Sequence, residues 1–370
     1  MLLGECSMKM FTKLALVSSM AISANAMAMQ SMDDAALSAA TGQDGINIGI
    51  GISKIEIAKV LVHDNDGLVY SGTAPTAGQA GFGGTGNAGA IVIKGNATGK
   101  TATNGIVIEA PVNAAGNAYD TTRKLTSGLL AELAIDTDAG RADSATATGN
   151  TAFLNVAAKV SGLDIYIGEI GISASNAVPA AGATTIRRGA AETNNYNKIL
   201  SGLTLKTGKM DANIQLGAAP QGAMIILDTT MTGGLTIENL GIVGAKTGTA
   251  VAAGVNTTSD GQINIGSIKI ADANGTNLTV KAKVDVLGKS AANNGFLRIT
   301  TGSGSNYGSA LATDSQDMYI SSVRLGDATD AKSIGDVEIQ GMTTYYNNGG
   351  GFSATNANER AGAMITISGH

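Results

Sequence analysis

Tryptophan is absent from this sequence, aromatic residues make up 4% of it, and it holds one cysteine, two histidines and four prolines. Each shortage excludes something. With so few rings, burial has to come from Ile, Leu, Val, Ala and Met, which suit thin, regular layers better than a globular centre. Eight Tyr and five Phe are also too few for the aromatic girdles of a membrane-spanning barrel. Two histidines, His63 and His370, do not furnish a His-based metal cluster unless both converge with acids. Charged residues are only 14% and the net charge is -5, which leaves no electrostatic footprint for nucleic acid. Nucleophile motifs of the G-x-S-x-G and S-x-x-K types are missing.

The single thiol, Cys6, precedes "MKMFTKLALVSSMAISANAMAMQ". That stretch has Lys9 and Lys13, an apolar run from Leu14 to Ile22, and small residues at Ala24, Ala26 and Ala28. It reads as a secretory signal peptide over residues 1–28, with residues 1–7 as an upstream extension before Met8. Cleavage leaves a mature chain without cysteine, so an oxidising compartment gives it no disulfide. No later run reaches the roughly 18 apolar residues of a membrane-spanning helix. The expectation is export to the periplasm, the outer surface or a surface filament, with no transmembrane segment.

What the sequence has in quantity is glycine, 51 residues, about twice the roughly 7% of average usage. Residues 29–43 fit a short helix or a linker, with Ser31 as N-cap and Gly42 as stop. From Asp44 to the end the pattern is strand after strand. "GINIGIGISKIEI" alternates Ile46, Ile48, Ile50 and Ile52 with small or polar residues, then shifts phase before Ile55 and Ile57. A bulge or a tight corner produces such a shift. "GLDIYIGEIGIS", "GLTIENLGIVG", "GQINIGSIKIAD" and "DMYISSVRLGD" share the same frame of alternating apolar positions, a break and a second short strand.

Asp66-Gly67, Asn104-Gly105, Asn274-Gly275 and similar dipeptides read as hairpin turns. The fold class is therefore all-β, an elongated multi-strand β-sandwich or an irregular β-solenoid. A division of the β-rich domain (44–370) falls near 180–200. Long, nearly uncharged loops at 71–88 and 343–361 offer a contact surface.

Chemistry-bearing clusters are sparse. Asp64 and Asp66 beside His63, and Asp136 with Asp138 and Asp143, form oxygen-rich stretches of the kind Ca²⁺ uses, as do Asp327, Asp330 and Asp336. Polar turns account for the same residues. "GNATGKT" (95–101) has the Gly, Lys and Thr of a phosphate loop, but its spacing is one residue short and no helix follows. Distant Asp/Glu pairs leave an exported glycan-active enzyme open as a third reading.

The segment "SMDDAALSAATGQDGINI" (31–48) carries a resemblance through Met32, Asp33, Asp34, Leu37, Ser38, Thr41, Gly42, Gln43, Asp44, Gly45 and Ile46. It resembles the N-terminal signature of an exported Gram-negative family of FilA-type pilus assembly proteins. The resemblance covers about 60 residues and supplies no catalytic residue. It implies a non-enzymatic component of a pilus-like surface system, serving adhesion and biofilm formation, with other assembly proteins or further copies of itself as partners. Ile46, Ile48, Ile50 and Ile52 are then the candidate assembly strand, open to β-augmentation. A monomeric surface adhesin or ligand-binding protein is the alternative.

Overall fold

A computed structural model of the chain describes residues 45–68, 75–113, 115–140, 151–193, 195–244, 261–288, 295–302, 315–326, 332–347 and 359–368. The chain divides into two compact units, Met1–Ile46 and Asn47–His370. The leader-like segment and residues 29–43 lie outside the described residues.

The second unit is built from two large sheets, with strands numbered in chain order. Edge to edge, the eight-stranded sheet runs β1 (Ile46–Ile50), β6 (Ala131–Asp138), β7 (Phe153–Val160), β11 (Met210–Gly217), β12 (Ile225–Met231), β15 (Leu278–Leu287), β16 (Phe296–Thr301) and β21 (Met364–Ile367). The eleven-stranded sheet runs β18 (Ser333–Met342), β17 (Gln316–Leu325), β14 (Gln262–Asp272), β13 (Leu235–Val243), β10 (Tyr196–Lys206), β8 (Asp164–Ile167), β5 (Ile106–Glu109) and β2 (Lys54–Ile57). From β10 it branches through β9 (Glu169–Ala174) and β4 (Gly89–Lys94) to β3 (Lys59–His63). A small pair, β19 (Tyr345–Asn347) with β20 (Glu359–Ala361), lies within the 343–361 segment read as a loop. Each of these pairings whose register is defined is antiparallel, and neither large sheet closes into a barrel. The protein is all-β and of the sandwich class.

From β6 onward the chain takes two or three strands in one sheet and then crosses to the other. The crossings at 161–163, 207–209, 232–234 and 273–277 are three to five residues long, too short for anything but a corner. Two expectations change accordingly. Asn274-Gly275 makes no hairpin: Asn274, at φ 59°, turns the chain from β14 in one sheet to β15 in the other. "GINIGIGISKIEI" holds no strand pair either, since β1 belongs to the eight-stranded sheet and β2 to the eleven-stranded one. Its phase shift is the corner at 51–53. On either side of the 180–200 region, β9 and β10 pair with each other.

In an antiparallel ladder, residues directly opposite share a face. Ile55, Ile108, Ile165, Leu205, Ile237, Ile268, Ile320 and Val337 form one unbroken rung across eight strands. Val60, Ile93, Ile170, Leu200, Ile242, Ile263 and Leu325 form a second. Within β10, β13, β14 and β17 the two rungs are five residues apart, an odd number that strict alternation would send to opposite faces. Between them each strand loses one residue from the alternation, at Gly202, Asn239, Gly266 and Ser322. Asn239 and Ser322 sit at φ 57°, and Gly202 and Gly335 at 135° and 140°, values open to glycine and tolerated by few other residues. The break that recurs in the sequence frames is this crease, lined up from strand to strand.

One corner is held by a buried ion pair. Asp164, at the start of β8, is fully buried and its Oδ1 lies 2.7 Å from a guanidinium nitrogen of Arg123, while its Oδ2 accepts from the Val112 N–H at 3.1 Å. The same guanidinium donates to the carbonyls of Leu163 (2.9 Å) and Thr207 (2.8 Å). Thr207 and Leu163 also bond each other, backbone N–H to carbonyl and backbone N–H to hydroxyl, both at 3.0 Å. Arg123→Met leaves a buried carboxylate without its cation and should lower the urea-unfolding free energy by about 3–5 kcal/mol. The double variant Arg123→Met/Asp164→Leu should lose less than Arg123→Met alone, since no uncompensated charge remains.

Candidate functional site

The polar side of the eleven-stranded sheet is legible from the register. Tyr166, Thr204, Glu238, Ser267 and Ser321 form a rung on one side of the crease. Gly202, Gly241, Asn264, Arg324 and Ser333 form one on the other. Residues of both rungs line a single cavity of about 660 Å³, so the polar side is continuous across the crease and the aliphatic rungs lie on the reverse.

Its first wall is the 95–105 connection between β4 and β5. Asn96 Oδ1 accepts from the Thr98 N–H (3.1 Å) and from the hydroxyls of Thr98 (2.9 Å) and Thr101 (3.0 Å), which winds Gly99–Thr101 into one 3₁₀ turn. A strand follows that turn, not a helix, so the phosphate-loop resemblance carries no anion site. The Asn96 amide then reaches across to the Ser201 carbonyl at 3.2 Å. Lys100 lies 2.7 Å from Glu109, and Lys198 lies 3.5 Å from Glu169, so both lysines at the rim have a carboxylate neighbour.

The floor is an amide and hydroxyl network. Gln262 Nε2 donates to Ser201 Oγ (3.1 Å) and to Asn264 Oδ1 (2.6 Å), and Asn264 Nδ2 donates to the Gly326 carbonyl (2.7 Å). A glycine is needed beneath it. A Cβ on Gly241 would fall onto Ser201 Oγ and within 2.6 Å of Gln262 Nε2. Ser322 is held at its left-handed backbone by Asp336, whose carboxylate accepts from the Ser322 N–H and the Tyr319 hydroxyl, both at 2.7 Å. Those bonds keep Asp336 below the usual carboxylate range.

Beyond the groove the polar side becomes ionic. Lys59, Lys94 and Lys198 interleave with Glu169 and Glu192. Lys94 Nζ stands 3.6 Å above the Tyr196 ring, and that ring lies on Gly171. Burial, with the carboxylates of Glu169 and Glu192, raises the Tyr196 hydroxyl above its ordinary range.

The residues singled out in the sequence take other places. Among the described residues no three His, Cys, Asp or Glu side chains converge on a point that could hold a metal. Asp64 Oδ1 accepts from the Asp66 N–H at 3.4 Å within a turn, and Asp136 and Asp138 sit exposed at the end of β6. His63 shares a 2.7 Å hydrogen bond with Ser175 Oγ. Asp143, Asp327 and Asp330 lie outside the described residues. Ile46, Ile48 and Ile52 are exposed and Ile50 is half-buried, with β1 at an edge of the eight-stranded sheet. The groove itself was missed, because its lining comes from six strands and a loop. The signal that could have found it was the break repeated in successive frames.

Tyr166 provides a titration probe of the groove. Burial, then the negative carboxylates of Asp164, Glu109 and Glu238, push its hydroxyl from 10.0 up to about 12. A group whose folded pKa is raised contributes stability that is whole below its unfolded pKa and is lost as the pH rises through the folded one. Urea midpoints should therefore fall between pH 10 and pH 12, and fall less in Tyr166→Phe than in the unsubstituted chain.

Residues 8–123 match the model of a family of unknown function (DUF6160), which covers less than a third of the chain. No curated protein and no solved structure matches this protein.

Proposed function

We propose that this protein is a non-enzymatic structural or assembly component of a pilus-like surface filament system, supporting adhesion and biofilm formation, and that it assembles by adding strands to its open sheet edges. The observation that carries the reading is the state of those edges. Among the described residues, β1 and β21 each have a neighbour on one side only, as do β2 and β18 in the other sheet. An unpaired strand edge is a template for another chain, and sequences that avoid such pairing place Lys, Pro or bulges there. β2 is guarded by the Lys54–Glu56 ion pair, but β1 (INIGI) and β21 (MITI) carry no charge. Ile46 (63%), Ile334 (67%) and Ile367 (54%) are all well exposed on edge strands. A second copy, or another subunit of the same system, would satisfy both the backbone groups and the aliphatic side chains. Export rests on the leader-like sequence of residues 1–28. No helix among the described residues is long and apolar enough to cross a membrane.

The polar groove favours a second reading, a surface protein that acts as a monomer by binding a ligand. Negative-stain electron microscopy and size-exclusion chromatography on the chain from residue 29 separate the two. Filaments or a ladder of oligomers are expected. Ile48→Lys in β1 combined with Ile365→Lys in β21 should return a single small species. A uniform monomer from the unsubstituted chain overturns the assembly reading.

A further inference from the structure

We infer that the groove along the crease is a binding site for a neutral oligosaccharide. The cavity, about 660 Å³, falls within the range of roughly 300–1,000 Å³ that small-molecule sites occupy. Its chemistry narrows the ligand. Asn96, Ser201, Asn239, Gln262, Asn264 and Ser322 all line it, and every one of these side chains can both donate and accept a hydrogen bond. A sugar hydroxyl also does both, so a lining of amides and hydroxyls matches a polyhydroxylated ligand group for group. An apolar ligand would strip water from those groups and return no hydrogen bonds, which is unfavourable.

Charge argues against an anion. Lys100, Lys198, Arg324 and Glu169 are the charged residues of the lining, and the two lysines lie within 2.7 Å and 3.5 Å of Glu109 and Glu169, so neither offers an anion an unmatched charge. An acidic ligand would meet those carboxylates and displace the existing pairs, whereas a neutral one leaves them intact. The network is also arranged in advance. Gln262, Asn264 and Asn96 are each held by hydrogen bonds to their neighbours, which cuts the side-chain ordering that binding would otherwise require. The backbone carries a further sign. Asn239 and Ser322, two of the four described non-glycine residues with positive φ, line this cavity, and such strain collects at functional sites. Tyr166 stands in the wall, with Lys100 Nζ over its ring at 5.9 Å from the centroid.

The test uses the chain from residue 29, screened on an array of neutral and uronic-acid oligosaccharides, with each hit followed by calorimetric titration. One or more neutral oligosaccharides should bind. Gln262→Ala and Asn264→Ala should each weaken that binding about tenfold, the equivalent of one hydrogen bond of roughly 1.4 kcal/mol. Gly241→Ala should abolish it, because the added methyl falls on Ser201 Oγ and Gln262 Nε2 and breaks the hydrogen bond between them; the atoms nearest to it are all side-chain ends, so the fold, followed by circular dichroism, should be kept. Asp211→Ala, exposed on the other sheet, should bind as the unsubstituted chain does. The inference is overturned by an array with no hits, by hits confined to the acidic sugars, or by neutral-sugar binding that Gln262→Ala, Asn264→Ala and Gly241→Ala leave unchanged. The readout is binding, so it stands apart from whether the chain assembles.

Discussion

The structure depends on making a chain turn from one sheet to the other in about three residues without leaving polar groups stranded. At the first of these corners beyond β7 the task falls to Arg123. Its guanidinium gathers two carbonyls and a fully buried carboxylate from segments about 40 and 84 residues away in sequence. A buried ion pair of this kind is not a large net source of stability, since desolvation offsets most of the attraction. What it fixes is geometry. The guanidinium ties the start of β8 to Thr207, just past the end of β10, and through Asp164 the Val112 N–H joins the same cluster.

The second constraint is the crease. Each strand of the larger sheet has to keep its aliphatic residues on one side although the rungs are an odd number of residues apart. One slipped residue per strand does this, at the cost of positive φ at Asn239 and Ser322. The slip opens the backbone on the polar side and lets side chains from both rungs point into one cavity. Structure and candidate site therefore have a single origin. The residue that takes up the slip is also the residue that makes the groove.

The edges and the groove are compatible in one molecule. Edge strands extend along the sheet, in its plane, whereas the groove lies on its polar face. A subunit joined through β1, β18 or β21 leaves the lining residues of the groove unengaged, because none of these strands contributes a side chain to it.

The sequence by itself determined the class of the fold. From Asp44 onward, alternating Ile and Val with glycine breaks, few aromatics and no long helical window point to sheets, and the phase shifts in "GQINIGSIKIAD" and "DMYISSVRLGD" mark where alternation fails. It also located β1, since Ile46, Ile48, Ile50 and Ile52 need no partner to be recognised as an extended run with one oily side. Only the tertiary structure decided which strands lie side by side, because antiparallel register is set by closure between segments up to about a hundred residues apart and not by local pattern. Asn274-Gly275 looks the same in sequence whether it returns a strand to its neighbour or carries it to the opposite sheet. The groove was hidden for the same reason: Asn96, Ser201 and Gln262 are ordinary polar residues in three distant stretches, and they become a site when the slipped rungs bring them to one face.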